Sequence, residues 1–185
     1  MKKFFCFILF FTITLTTGCS FHKKSNEIKT EEQLIQAIEQ FHYDKSDIKL
    51  YAISNFIEQS EFLSYKGTQA PLYGFYTGIL HDKPITYQKL FMIYSEIHFF
   101  RLLKLVEHSY DSFEATLENT QNFYPEGKDY IDKLWGYFYA TGDQRAINIL
   151  CKIQKNDYDP EIRNLAKRSL EKNQPKFSEF VMKCE

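Results

Sequence analysis

The chain has few of the residues that irregular proteins use. It contains only 7 Gly and 5 Pro in 185 residues, whereas its aromatic residues comprise 18 Phe, 13 Tyr and one Trp. Scarce turn-forming residues leave few positions at which regular structure is interrupted, and abundant aromatic rings supply apolar area for a core. The composition therefore excludes a disordered chain and predicts a well-packed globular domain.

The chain also lacks an excess of charge of either sign. It has 23 basic and 24 acidic residues, for a formal charge of −1. Removing residues 1–18 would take Lys2 and Lys3 with them and leave a charge of −3. Because no Lys- or Arg-rich patch offsets this balance, we expect no nucleic-acid partner.

Motifs for catalysis and for metal binding are missing as well. The sequence has no His-Glu-x-x-His and no Cys-x-x-Cys, the usual zinc signatures. It has no Gly-x-Ser-x-Gly, no phosphate-binding glycine loop and no dinucleotide fingerprint. We therefore expect no catalytic, cofactor-binding or metal-binding residues, with one alternative. Glu96, inside a predicted helix, could be the acid of a hydrolase that acts on peptidoglycan.

Two histidines are predicted to have ordinary structural roles. His98 projects onto the apolar side of its predicted helix, as a hydrogen-bonded core residue would. His81 and Asp82 follow Gly78 in a predicted surface turn, where they would be polar loop residues.

An aromatic run beside two glycines has two interpretations. Tyr73, Phe75 and Tyr76 alternate with or adjoin Gly74, and Gly78 follows. The rings could line a binding groove or pack in the core, and the residue types favour the core.

The first twenty residues have the pattern of an export signal. Lys2 and Lys3 precede an apolar run over residues 4–15, and Gly18-Cys19 follows in the segment LTTGC. This segment resembles the bacterial lipoprotein signal. The resemblance implies cleavage between Gly18 and Cys19 and acylation of Cys19, with palmitate among the acyl chains.

The resemblance also implies an organisation and a location. Residues 1–18 would be the signal peptide, residues 19–29 a lipidated tether, and residues 30–185 a single helical domain. The protein would be anchored in the cell envelope by its N-terminal lipid. In a host with two membranes, Ser20 would direct it to the outer membrane, facing the periplasm.

Two other interpretations of the signal stay open. Thr16 and Gly18 fit the small-x-small rule, so an ordinary secretory signal could be cut after Gly18. An uncleaved anchor is the other alternative, although residues 4–15 are short for a spanning helix.

The cysteines follow from this location. Cys6 lies in the signal and Cys19 would carry lipid, which leaves Cys151 and Cys184. Outside the cytoplasm two such cysteines commonly pair, so we predict a Cys151–Cys184 disulfide. Two separate buried thiols are the alternative.

Apolar residues recur at helical spacing along the domain, and no segment shows a convincing strand pattern. The sequence predicts an all-α fold, a compact antiparallel stack of eight or nine helices. The longest helix, from Thr86 to His108, should be the most buried. Its predicted inward residues are Leu90, Ile97, Phe99, Leu102 and Val106. The predicted helix starts lie near Thr30, Asp47, Pro71, Thr86, Asp111, Lys128, Asp143, Pro160 and Lys176.

Residues 140–172 contain two motifs in succession. The first is Gly142, Asp143, Arg145 and Ala146, and the second is Asp159, Pro160, Ile162, Arg163, Ala166 and Leu170. The stretch resembles one HEAT-like helical repeat. That resemblance implies a helix pair of the kind that scaffold proteins use to bind other proteins.

The sequence thus favours a lipid-anchored, noncatalytic helical protein of the bacterial envelope that binds an envelope protein or peptide. The alternatives are the peptidoglycan hydrolase with Glu96 as its acid and an immunity protein against a delivered toxin.

Overall fold

The computed structural model describes residues 27–65, 67–118, 127–156 and 159–178, and most of these residues are helical. Nine α-helices and one short 3-10 helix are formed within them, and no strand. The elements are α1 (Glu31–Glu39), α2 (Phe41–Asp44), α3 (Asp47–Gln59), the 3-10 helix (Glu61–Ser64), α4 (Gln69–Asp82), α5 (Pro84–Ile93), α6 (Ile97–Glu118), α7 (Lys128–Thr141), α8 (Gln144–Asn156) and α9 (Pro160–Asn173). The all-α prediction is confirmed.

Local capping signals set several of the boundaries. Thr30 caps α1 by accepting a hydrogen bond from the amide of Gln33, and the Gln33 side chain accepts one from the amide of Lys29, the residue before the cap. Gly142 ends α7 in the left-handed conformation, with φ of 71°. Asp159 caps α9 through the amide of Glu161, and Pro160 occupies the first helical position.

The prediction of one long helix from Thr86 to His108 is wrong. The helix is interrupted at residues 94–96, so that α5 ends at Ile93 and α6 begins at Ile97. The Tyr94 hydroxyl donates to Asn55, 2.7 Å away, and the Glu58 carboxylate accepts hydrogen bonds from the amides of Ser95 and Glu96. Contacts from α3 therefore stabilise the break, because they satisfy groups that an uninterrupted helix would satisfy itself.

Two further predictions about the segment after the break are wrong. No separate helix begins at Asp111, because α6 continues through that residue to Glu118. Ile97 was expected inside but is 55% exposed, whereas Leu90, Phe99, Leu102 and Val106 are buried as predicted. The predicted final helix from Lys176 lies mostly in residues 179–185, outside the described residues.

The most buried helices are α4 and α7, not the segment from Thr86. Every residue from Leu72 to Ile79 is buried, and so is every residue from Leu134 to Phe138. The two backbones touch at glycines. A Cβ atom on Gly74 would lie 1.9 Å from the Lys133 carbonyl oxygen, and one on Gly136 would lie 2.0 Å from the Pro71 carbonyl oxygen. Only glycine allows this approach.

One hydrophobic core draws on all nine α-helices. Within the described residues, each buried member of this core lies between Leu34 and Phe177. Phe177, which follows α9, contacts the rings of Trp135 and Phe138 with centroid distances of 6.3 and 5.3 Å. A chain that lacks residues 1–19 would retain this entire core, so we expect it to fold by itself.

Candidate functional site

A groove between the 3-10 helix, α4, α6 and α7 has a volume of about 620 Å³, within the range of ligand sites. Apolar side chains that are almost completely buried form its floor. They are Leu63, Tyr73, Leu102, Phe113 and Tyr130. Phe113 packs edge-on against Tyr73, with ring centroids 6.2 Å apart. The groove can therefore take apolar groups from a ligand without rearranging the core.

Charged and polar side chains surround the floor. Among the described residues of the lining, His98, Arg101 and Lys133 are the basic side chains and Asp129 is the single carboxylate. The Lys133 ammonium lies 4.8 Å from the centroid of the Tyr73 ring, a cation–π distance. Arg101 is exposed and forms no ion pair within the described part of the chain. The rim thus favours a ligand with an anionic group.

The hydroxyl groups of the groove bond to one another and to the backbone. Ser109 and Tyr73 are joined at 2.6 Å, and the Ser109 hydroxyl lies 2.5 Å from the Leu105 carbonyl. The Thr116 hydroxyl donates to the Phe113 carbonyl and contacts the Tyr130 hydroxyl at 3.1 Å. In these bonds neither Ser109 nor Thr116 is paired with a histidine or a carboxylate, the partner that would activate a nucleophile. These hydroxyl groups are therefore arranged as groups that could contact a bound ligand.

A second polar cluster joins four helices where α8 begins. Arg145 pairs with Asp143 at 2.6 Å and with Glu114 at 3.5 Å. The Tyr137 hydroxyl donates to Glu114, and His81 lies 3.3 Å from the same carboxylate. Burial and the neighbouring Glu114 carboxylate raise the pKa of Tyr137 above its usual range. The charges in the cluster are mutually paired, so its evident contribution is to hold α4, α6, α7 and α8 together.

Two sequence predictions concern residues in or beside this cluster: the surface turn at His81 and Asp82, and the motif that contains Asp143 and Arg145. His81 and Asp82 are not in a loop: they form the last turn of α4, where Asp82 pairs with Lys45 at 2.5 Å. Asp143 and Arg145 belong to the motif that resembles a HEAT-like repeat. Asp143 caps α8 by accepting from the Arg145 amide at 2.8 Å.

Glu96 is the N-cap of α6. Its carboxylate accepts hydrogen bonds from the amides of His98 and Phe99, at 2.9 and 2.7 Å. Partial burial acts to raise the pKa of Glu96, but these hydrogen bonds outweigh it and the pKa lies below its ordinary value. Both carboxylate oxygens are engaged by backbone amides, so the geometry assigns Glu96 a capping role.

The other single residues divide between the core and the surface. His98 is exposed at the groove and is not a core residue, because it lies at the edge of the buried face that contains Phe99 and Leu103. Phe75 and Tyr76 are fully buried, which confirms core packing for them, whereas Tyr73 reaches the groove floor.

Three of the four cysteines lie outside the described residues, and so does the predicted cleavage site at Gly18 and Cys19. Cys151 is buried and is disulfide-bonded. Because Cys184 lies outside the described residues, the predicted pairing of Cys151 with Cys184 stays a prediction. Among the described residues, no cluster of His, Cys, Asp or Glu side chains is placed to hold a metal ion. None of the described helices has the length and apolar character of a membrane span.

Comparisons of the chain with models of protein families, with curated proteins and with solved structures find no match. The resemblances to a lipoprotein signal and to a HEAT-like repeat therefore remain predictions from the sequence.

Proposed function

We propose that the chain is a lipid-anchored, noncatalytic protein of the bacterial envelope that binds a segment of another protein in the groove between α4, α6 and α7. The observation that supports it most is the pairing of a buried apolar floor with Arg101 at the rim. A peptide segment with an apolar side chain and an acidic one would satisfy both.

The anchor is the first part of the proposal. Two or more acyl chains hold a protein stably on a membrane, whereas one holds it only marginally. The protein should therefore incorporate labelled palmitate and fractionate with membranes, and Cys19→Ala should abolish the labelling. Labelling that persists in this variant would show that Cys19 is not acylated.

Site-specific crosslinking in cells tests the groove. A photoreactive benzoylphenylalanine replaces Leu105, which lines the groove and is 55% exposed. The matched position is Ile48 on α3, which is 64% exposed and does not line the groove. We expect a discrete adduct from Leu105 only, and its sequence should contain apolar and acidic residues in one segment.

Charge reversal separates binding from chance proximity. Arg101→Glu should reduce the Leu105 adduct by about fivefold or more, because it replaces attraction at the rim with repulsion. Arg168→Glu, on the exposed face of α9, is the control and should leave the adduct unchanged. No adduct at Leu105, the same adduct from Ile48, or equal effects of the two reversals would contradict the proposal. If the protein is an immunity protein, the captured sequence would be that of the toxin.

A further inference from the structure

The helices α5 and α6 expose an unusual set of large apolar side chains at their junction. Met92 is 78% exposed and Ile85 is 71% exposed, and three neighbours along the chain are between 37% and 55% exposed. We call this set the apolar ridge, and it consists of Ile85, Met92, Ile93, Ile97 and Phe100. Exposed apolar side chains in such density mark a surface that is covered in use.

The ridge is continuous across the two helices. Ile85 and Met92 are seven residues apart and lie on one face of α5, two turns from each other. Phe91 and Phe100 connect α5 to α6 through rings whose centroids are 5.6 Å apart. The Lys104 ammonium lies 4.7 Å from the centroid of the Phe91 ring. The exposed faces of both helices therefore form one surface.

Cations accompany the apolar side chains. Lys89 lies between Ile85 and Met92 on the exposed face of α5, and α5 contains no acidic residue. On α6, Lys104 is exposed one turn from Phe100. The carboxylate of Glu96 is engaged at the N-terminus of α6, and that of Glu107 pairs with Lys104 at 2.9 Å.

We propose that the apolar ridge, with Lys89 and Lys104, binds the surface of an anionic lipid bilayer. Apolar side chains beside lysine and arginine are the pattern of helices that lie in the membrane interface. Side chains that are more than half exposed project from the surface, and projecting side chains can enter a bilayer. A peptide ligand is better served by a depression, such as the groove described above.

The inference extends the proposed anchoring, because a short tether from Cys19 would hold the domain close to the bilayer. It does not depend on an acyl chain. The ridge would then orient the domain on the membrane and fix which way the groove opens.

Vesicle binding by the chain from Ser20 to Glu185, which has no acyl chain, tests this proposal. The chain should sediment with vesicles that contain phosphatidylglycerol, and less with vesicles of phosphatidylcholine alone. The double variant Ile85→Glu/Met92→Glu should weaken binding to the anionic vesicles by about tenfold or more. Ile48→Glu, at an exposed isoleucine of α3, is the matched control and should bind like the parent.

Several outcomes would overturn the proposal. They are a parent chain that does not sediment with anionic vesicles, equal binding to the two lipids, and equal effects of the ridge variant and the Ile48 control. The ridge variant keeps the groove intact, because neither Ile85 nor Met92 lines it. Its full-length form should therefore still give the Leu105 adduct, so the two proposals can fail independently.

Discussion

The helices α4 and α5 follow each other in the chain and are both rich in apolar residues, yet one is buried and the other is largely exposed. Eight consecutive residues of α4 are buried, whereas α5 buries only Thr86, Tyr87 and Leu90. We attribute this difference in burial to the glycines of α4. Gly74 and Gly78 let α4 approach the backbone of α7, and α5 contains no glycine. Close approach, more than apolar composition, determines which helix lies at the centre.

In this account, the part of the molecule that stabilises the fold is separate from the part that binds. The contact between α4 and α7 supplies stability, and the side of α6 that joins α5 supplies exposed apolar and basic groups for binding. Substitutions at the centre should therefore change the free energy of unfolding, and substitutions on the ridge should change binding.

Gly136→Ala should have the largest effect on stability. The added Cβ atom would lie 2.0 Å from the Pro71 carbonyl oxygen, so the backbones of α4 and α7 must separate. We expect a loss of about 3 kcal/mol or more in the free energy of unfolding, measured with urea, which exceeds the gain of about 1 kcal/mol in helix propensity. Gly67→Ala is the control, because a Cβ atom there meets nothing within 4 Å. Equal stability of the two variants would show that the helices do not touch at Gly136.

How much of this could be predicted depends on the range of the interactions. The helix starts near Thr30 and Pro160 depend on capping bonds within four positions, and the sequence predicted these starts correctly. The break at residues 94–96 depends on Tyr94 reaching Asn55, which is 39 positions away. A helical projection of the segment alone cannot include that contact, so the helix was predicted as continuous and Ile97 as buried.

The candidate site was less predictable than the fold. The prediction that Tyr73 either packs in the core or lines a groove was useful, because its ring does both. Arg101 and Lys133 carry no local signal for binding, and only the packing of α6 beside α7 brings them to one groove. Glu114 meets Arg145 in the same way, across 31 positions of sequence.

Glu96→Ala should have a smaller effect, confined to the junction of α5 and α6. Loss of the cap on α6 should lower the free energy of unfolding by about 1 kcal/mol at pH 7. Because the pKa of Glu96 is lower in the folded chain, its carboxylate contributes stability above the pKa of the unfolded chain, about 4.3. That contribution disappears as the pH falls through the folded pKa.

Urea titrations of the parent and of Glu96→Ala at several pH values measure this effect. The free energies of unfolding of the parent and of Glu96→Ala should differ by a constant amount near neutral pH and should become equal in acid. Glu107→Ala removes only an exposed pair with Lys104 and should stay within about 0.5 kcal/mol of the parent. A difference for Glu96→Ala that grows as the pH falls would contradict the assignment of Glu96 as a cap.

The comparison of α4 with α5 is tested most directly by hydrogen exchange. The exchange is measured by mass spectrometry on peptides of the chain from Ser20 to Glu185. Amides in the core of a fold exchange slowest, because they open only with global unfolding. The account predicts the slowest exchange in α4 and α7, and faster exchange in α5 and the first turns of α6. Slowest exchange in the segment from Thr86 to His108, with α4 exchanging early, would contradict the claim that α4 and α7 form the centre of the protein.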